Sequence, residues 1–430
     1  MKLIPALRRR GAELLTNGSL TRSTDLVRRA LRGGGHEGHD DALFSLLEYA
    51  SRNVPAYSSS DPRNLGSFPV LNKSDLLRGG TDFLAKNLDE SQCKSVYTSG
   101  STGIPFRAIW DPSKVQHHQG AMVATLEYQG IDPFGARVMT KPWPNDAMTS
   151  KVFALLRGEL RHSCGASMSP SLKVVEAWMR VNRGAGLIGY SSYIEQLLLG
   201  LVDLDFDFGS GNVTSVIGTS EAASPALKKL VPELTGERLR MRYSNVENGV
   251  VAVSSDDPDT YRIDGASFHV ELLAEDSDSP VKSGQMGRIV LTDLRNKAMP
   301  FIRYDTGDLA RWASTSEGTE DRSSLADVTG RRLDVIITGA GDPPRTVHPM
   351  EIWTATSELR PTRQFQLRQH GIGDFTWVLN ADPSEALEAD LSRILQERVG
   401  GIERVRFQYV TEVPVLASGK RKIFINEIEV

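Results

Sequence analysis

A chain of 430 residues, 40% hydrophobic and 24% charged, carries enough apolar material for a packed core. That excludes a disordered protein and allows two or three domains, or one large body with a smaller appendage. Fifty basic residues against 54 acidic ones give a formal charge of −4, which argues against a non-specific nucleic-acid binder. The two cysteines, Cys93 and Cys164, cannot build a disulfide framework or a Cys-rich zinc site. No run of about 18 apolar residues offers a membrane span, and Arg8, Arg9 and Arg10 cut the opening apolar run short of a signal peptide. A cytoplasmic protein is the expectation.

In chain order, residues 1–90 read as helices and loops, a helical lead-in. Its first 34 residues hold eight Lys/Arg and two acids, which fits either an anchor for an anionic surface or a solvated helical face. Asp41–Ala50 has apolar residues at helical spacing after the Gly33-Gly34-Gly35 break. Residues 93–130 predict a strand, a Ser/Gly-rich turn, a second strand and a helix. From 135 to 270 short strands alternate with helices, as in Leu187–Tyr190 followed by Tyr193–Leu201, and this predicts α/β layering on largely parallel strands. Phe268–Leu273 and Gly287–Thr292 then alternate at period two around a polar turn, an antiparallel hairpin. Residues 314–324, rich in Ser, Glu, Asp and Thr, read as a surface loop. The fold class is α/β: a large, layered N-terminal body (1–330) with a β-rich part, then a small α+β domain (331–430), expected to be mobile.

Three segments carry chemistry. Thr98-Ser99-Gly100-Ser101-Thr102-Gly103 packs four hydroxyls and two glycines into six residues. Glycine lets backbone approach an anion, and hydroxyls and amides donate to phosphate oxygens. It is not a P-loop, because it holds no lysine and a strand follows it. Either a loop gripping phosphate inside a hairpin or a plain surface turn fits the composition. Arg303-Tyr304-Asp305-Thr306-Gly307-Asp308-Leu309 follows a predicted strand. Its carboxylates suit a ribose diol or a metal, and equally an Asp-Gly turn. Ser418-Gly419-Lys420, near the C-terminus, could bring an ammonium to a phosphoryl anion or form a basic patch.

In this order and spacing the segments resemble the adenylate-forming superfamily of acyl- and aryl-CoA synthetases, adenylation domains and luciferases, most closely its phenylacetate–CoA ligase branch. The resemblance covers about residues 90–430. It implies that Thr98–Gly103 hold the phosphates of ATP, that Asp308 in the stretch Asn296–Leu309 holds the ribose, that Arg331 reaches the ribose from the interdomain hinge, and that Lys420 assists adenylate formation. Arg242-Tyr243-Ser244-Asn245-Val246-Glu247 stands where the family has Y-G-x-T-E, so Tyr243 would stack on adenine and Glu247 would hold Mg²⁺. Segments around Tyr190 and Glu221 look like the surroundings of the acyl pocket. The implied activity joins a small carboxylic acid, plausibly aromatic, to AMP, followed by transfer to CoA or another nucleophile.

The chain departs from that pattern at Ser244 and Val246, and at Leu333, which takes the usual aspartate position of the hinge. Adenylation is therefore better supported than thioester formation. Transfer to an amine or hydroxyl, or ATP binding without turnover, are the rival readings. No HExxH, C-x-x-C or G-x-S-x-G occurs. His117 and His118 fit ligands or acyl-pocket residues, but a helix surface is the expectation. Tyr128, Trp143 and Trp178 are expected in core or pocket wall, and Glu221 fits the site lining, a helix cap or a surface position equally.

Overall fold

The computed structural model describes residues 3–16, 18–33, 38–87, 89–97, 106–141, 154, 157–163, 168–209, 211–254, 256–315, 317–329, 336–339, 346–347, 352, 355–356, 364–414 and 424–428. The helices used below are α1 (Leu3–Leu15), α2 (Ser19–Leu31), α3 (His39–Asn53), α4 (Lys73–Gly79), α5 (Pro112–Tyr128), α6 (Met168–Val181), α7 (Ser191–Asp203), α8 (Pro225–Thr235) and α9 (Glu385–Arg398). The early strands are β1 (Lys94–Tyr97), β2 (Arg107–Trp110), β3 (Arg137–Lys141), β4 (Glu159–Ser163), β5 (Ala185–Tyr190), β6 (Val213–Thr219), β7 (Leu239–Asn245), β8 (Gly249–Val253) and β9 (Thr260–Ile263). They are followed by β10 (Phe268–Leu273), β11 (Gly287–Asp293), β12 (Tyr304–Ser314) and β13 (Glu320–Thr329).

One sheet of eleven strands runs β10-β11-β12-β13-β9-β8-β7-β6-β5-β3-β4. Strands β4, β3, β5, β6 and β7 are parallel, and everything from β7 to β10 is antiparallel. The parallel strands are short runs of Val, Ile, Leu and Gly, as expected of strands covered on both faces. On one face α6, α7 and α8 bury Val175, Leu197, Leu201 and Leu227 against Leu187 and Val216. On the other, Leu126 of α5 packs on Ile188 and Ile217. Asp111 starts α5 sharply: Pro112 takes the first turn, Asp111 Oδ1 accepts from Lys114 N at 2.9 Å, and Oδ2 accepts from Lys297 N at 2.6 Å.

The first 90 residues are part of this body. Leu46, Leu47, Tyr57, Phe68 and Phe83 form a second core with Ala108, Ile109, Phe301 and Tyr304. Buried Tyr57 donates to Pro300 O at 3.1 Å. The basic N-terminal helices are tied to α5, where Arg28 binds Glu127 at 2.8 Å and Arg8 donates to Phe134 O at 2.7 Å. After residue 335 come the short strands β14 (Ile336–Ile337) and β15 (Thr346–Val347), and a third core forms around β16 (Gln364–Gly371) and β17 (Asp374–Asn380). These pair antiparallel, with β18 (Arg404–Tyr409) and β19 (Phe424–Asn426) added parallel at the edges and α9 packed alongside through Leu387, Leu391 and Leu395. The expected α+β composition of this part is observed. No helix among the described residues is long and apolar enough to cross a membrane.

Three local expectations need correction. Residues 314–324 are not a loop throughout: β12 runs to Ser314 and β13 starts at Glu320. The polar run stays in the sheet because Arg262 binds Asp321 (3.5 Å), Ser324 (3.4 Å) and Ser323. The Thr306-Gly307-Asp308 segment lies inside β12 rather than at its end, where pairing with β11 and β13 shifts register. His117 is not on a surface. It is buried and its Nε2 meets Ser267 Oγ at 2.8 Å, while Ser267 donates to Asp264.

Burial, helped by Arg295 and Lys114, pushes His117 down to about 3 from the ordinary histidine value of 6.5. The folded state therefore refuses a proton that the unfolded state takes up. The stability from this group is full above about pH 6.5 and is lost as pH falls toward 3. Burial raises Asp264 to about 6, which works in the opposite sense over that range. The difference between wild type and His117→Gln isolates the histidine: at pH 5 wild type should lose about 2 kcal/mol more than the variant, relative to pH 7.5. Urea midpoints at the two pH values measure it, and equal slopes would remove His117 as the cause.

Candidate active site

The Tyr304–Asp308 stretch is held at its entrance by unusual backbone. Leu71 pairs with it on one side, donating to Arg303 O (3.1 Å) and accepting from Asp305 N (2.8 Å). Arg303 sits at φ 50°, a left-handed conformation uncommon outside glycine. Its buried guanidinium secures it, with two 3.1 Å bonds to Glu271 and one of 3.2 Å to Phe68 O. Gly307 is at φ 78°, so a side chain there would be strained even with open space around it.

The two aspartates separate by role. Asp305 is neutralised internally: Oδ2 accepts from Arg288 at 2.7 Å, and Oδ1 accepts from Gly307 N at 2.9 Å. Asp308 instead accepts from the Tyr243 hydroxyl at 2.8 Å. Thr306 Oγ1 knits the turn together. It donates to Ile289 O (3.0 Å) and accepts from Asp308 N (3.2 Å) and from the Tyr243 hydroxyl (3.2 Å). Tyr243 is 8% exposed. Burial and the neighbouring Asp308 raise its pKa well above that of an ordinary phenol, which keeps the proton on the donor.

Glu247 lies in the turn between β7 and β8, 7% exposed, and its Oε1 accepts from the Tyr304 hydroxyl at 3.1 Å. Among the described residues Oε2 has no hydrogen-bond partner. The turn is fastened from below. Trp110, the last residue of β2, donates Nε1–H to Glu247 O at 2.7 Å. Lys114, one turn into α5, donates to Asn248 O at 2.8 Å, and Asn248 N donates to Asn245 Oδ1 at 2.8 Å. The Lys114 ammonium is itself buried (2% side-chain exposure), lies 2.7 Å from Asp293 Oδ2 (0%), and faces the Trp110 and Phe268 rings at 5.3 and 5.0 Å. Gly249 closes the turn at φ 99°, where a Cβ would come within 2.8 Å of His118 Nδ1. His118 packs edge-on against Trp110, with ring centroids 4.9 Å apart.

Of the residues singled out in the sequence, the structure thus links Tyr243 with Asp308, and Tyr304 with Glu247. Tyr190 is the residue before α7, and Glu221 Oε2 accepts from Ser192 N at 3.0 Å, a cap on that helix. Thr98, Ser99, Gly100, Ser101, Thr102, Gly103, Arg331 and Lys420 lie outside the described residues, as do Trp143 and Leu333. The strands flanking the hydroxyl-rich segment pair antiparallel, with Tyr97 opposite Arg107. Val246, which stands at the family's threonine, is 48% exposed. Sequence reasoning did not find Trp110, Lys114, Asp293 or Arg288. Only a buried position on a paired element marks them, and linear spacing does not show that.

The donor set suits Mg²⁺. It is a hard ion that typically takes one or two carboxylates and completes its shell with phosphate oxygens and water. Glu247 offers one carboxylate oxygen, and no group of three or more His, Cys, Asp or Glu among the described residues forms a complete protein cage.

This sheet, with a β-rich extension and a small α+β part after it, has the fold of solved CoA-ligase structures. The particular proteins it resembles are few in sequence and many in shape. No family model matches the chain. Phenylacetate-coenzyme A ligase of Thermus thermophilus is 33% identical over 111 residues, a match spanning 25% of this chain and 24% of that relative. A 2-hydroxyisobutyryl-CoA ligase in the postadenylation state, in complex with 2-HIB-AMP, superposes with a TM-score of 0.70 at 17% identity, over 91% of this chain and 89% of the other. The amide bond synthetase McbA from Marinactinospora thermotolerans gives 0.54 at 16% identity, over 77% and 68%.

The Glu247 turn makes Lys114 a structural prediction. Lys114→Ala removes the cation beside buried Asp293, leaving Arg295 N (3.0 Å from Oδ1) as a remaining donor, and should cost about 3–5 kcal/mol in urea denaturation. The double variant Lys114→Met, Asp293→Leu should recover most of that loss, because the desolvated charge goes with its partner. Additive losses from the two positions would refute the pairing.

Proposed function

We propose that this protein activates a small carboxylic acid as its acyl-adenylate, using ATP with Mg²⁺, and then passes the acyl group to coenzyme A. The observation that carries the reading is the convergence of three sequence segments. The strand leaving the hydroxyl-rich segment ends in Trp110, which holds Glu247. The Glu247 carboxylate is held by Tyr304, and Asp308 of the same strand is held by Tyr243, four residues before Glu247. An aromatic acid is the first choice, on the name of the Thermus relative.

In the reaction a carboxylate oxygen attacks the α-phosphorus of ATP and pyrophosphate leaves. Two anions must meet, so the protein's contribution is positioning and charge neutralisation. Thr98–Gly103 would hold the departing phosphates with hydroxyl and backbone donors. Asp308 would accept from the ribose hydroxyls, as Tyr243 and Thr306 already fix its orientation. Glu247 would hold Mg²⁺, which when bound neutralises phosphate charge. Arg331 would reach the ribose as the small domain, residues 331–430, turns about the hinge. Lys420, carried by that domain, would neutralise the α-phosphate and the incoming carboxylate, and Tyr190 and Glu221 would border the acyl group.

A second reading keeps the adenylation and changes the acceptor to an amine or hydroxyl. Leu333, where the chain departs from the hinge pattern, favours it, and the likeness to an amide bond synthetase supports it.

Acid-dependent pyrophosphate release across a panel of aryl and short-chain acids tests the adenylation step, and mass spectrometry of the acyl product assigns the acceptor. AMP should appear only with a cognate acid. ATP binding by calorimetry with no AMP from any acid would reject the enzyme reading in favour of a nucleotide-binding protein. Lys420→Ala should slow adenylate formation by two to three orders of magnitude, about 3–4 kcal/mol of barrier, with little change in ATP affinity. Weakened ATP binding with turnover preserved would contradict the assigned role.

A further inference from the structure

Arg242 is a strongly charged group that none of these roles uses. It precedes Tyr243 on β7 and is 6% exposed. Neighbours along a strand face opposite sides. Met241 and Tyr243 join the main core, whereas Arg242 turns toward α5. There Nη2 and Nε donate to Gln129 Oε1 at 2.9 and 3.3 Å, and Nη1 points at Met122 Sδ, 4.0 Å away. All of these partners are neutral.

The other buried cations of the body are paired: Lys114 with Asp293, Arg288 with Asp305 and Arg303 with Glu271. Arg242 has no carboxylate within ion-pair distance among the described residues. Burial lowers its pKa to about 10, and the neighbouring charge that acts on it is a cation, Arg137, already bound to Glu159 at 2.7 Å. It remains charged at neutral pH. The local field is positive: Lys114, Lys94 and Arg242 add to burial in driving His118 to about 3. An uncompensated buried charge is costly, and folds retain one where a ligand completes it.

The guanidinium is also aimed. Gln129 Nε2 donates to Met241 O (2.9 Å) and Ser254 O (3.2 Å), which turns Oε1 toward Arg242 and fixes the fork. Arg242 stands opposite Thr219 of β6, at the carboxyl end of the parallel strands. In open α/β sheets ligands bind at that end. Its neighbour Tyr243 is already in the site.

We propose that Arg242 sets the substrate class: the acid carries a second anionic group, a carboxylate or its equivalent, remote from the carboxyl that is adenylated, and Arg242 receives it. This rests on the adenylation reading above and deepens it. A planar guanidinium held by its own support meets a carboxylate bidentately and rejects an uncharged group in its place.

The test compares matched acids on wild type, Arg242→Met and Arg242→Lys: benzoate against isophthalate and terephthalate, butyrate against succinate and glutarate. Pyrophosphate release gives kcat/KM, and calorimetry without ATP gives binding of each acid. Wild type should favour a diacid over its monoacid roughly a hundredfold, Arg242→Met should abolish that preference, and Arg242→Lys should restore part of it. The KM for ATP should not move, and ligand-free Arg242→Met should melt at or above the wild-type temperature, since an unpaired charge has gone. Preference of wild type for uncharged acids overturns the proposal. So does an Arg242→Met variant that melts lower and loses all acids equally, the mark of a purely structural arginine. If diacids and monoacids drive turnover equally well in wild type, and Arg242→Met changes neither, the adenylation reading stands and the Arg242 assignment falls. If no acid drives turnover but Arg242-dependent diacid binding persists, the reverse holds.

Discussion

Two tyrosine–carboxylate hydrogen bonds hold the site together, and they cross. Tyr243 on β7 reaches Asp308 on β12, while Tyr304 on β12 reaches Glu247 just beyond β7. In the sheet these strands are not neighbours, because β8, β9 and β13 lie between them. The sheet must curl for the phenols to meet the acids, and each bond joins a neutral donor to an ionised acceptor, the stronger class of hydrogen bond. The curl is supported at both ends. Leu71 and the Arg303–Glu271 pair fix the start of β12, and Trp110 with Lys114 fixes the turn after β7. Relaxing either anchor separates the two carboxylates from their tyrosine donors.

This geometry explains what was legible beforehand. Parallel α/β order and the period-two hairpin of β10 and β11 are local patterns, and the structure has both. The segments around Asp308 and Glu247 stood out because their chemistry is concentrated in a few consecutive residues. The division of labour between Asp305 and Asp308 was not, since it depends on Arg288, seventeen residues away from Asp305. His117 misled because a histidine beside another on a helix looks solvated until Ser267 and Asp264, about 150 residues on, are known to cover it. The strand character of 314–324 was hidden for a similar reason. Its polar residues are satisfied by Arg262 from a strand far back in the chain.

Charge is distributed unevenly around this frame. Lys114, Arg288 and Arg303 each sit beside an acid and serve as fasteners. They tell little about ligands, because a paired ion is already at rest. Arg242 differs from them in having only an amide and a thioether for company. The comparison among buried cations, rather than any single one, is what separates framework from recognition here.

Adjacent residues of β7 thus serve opposite layers of the molecule: Tyr243 reaches Asp308 on one side, and Arg242 packs against Gln129 and Met122 on the other. A substitution at one position leaves the other's contacts intact, because the pleat insulates them. Selection can therefore alter one layer of the molecule by single-codon steps without disturbing the other. From one such sheet, descendants can diverge on the first layer while keeping the second unchanged.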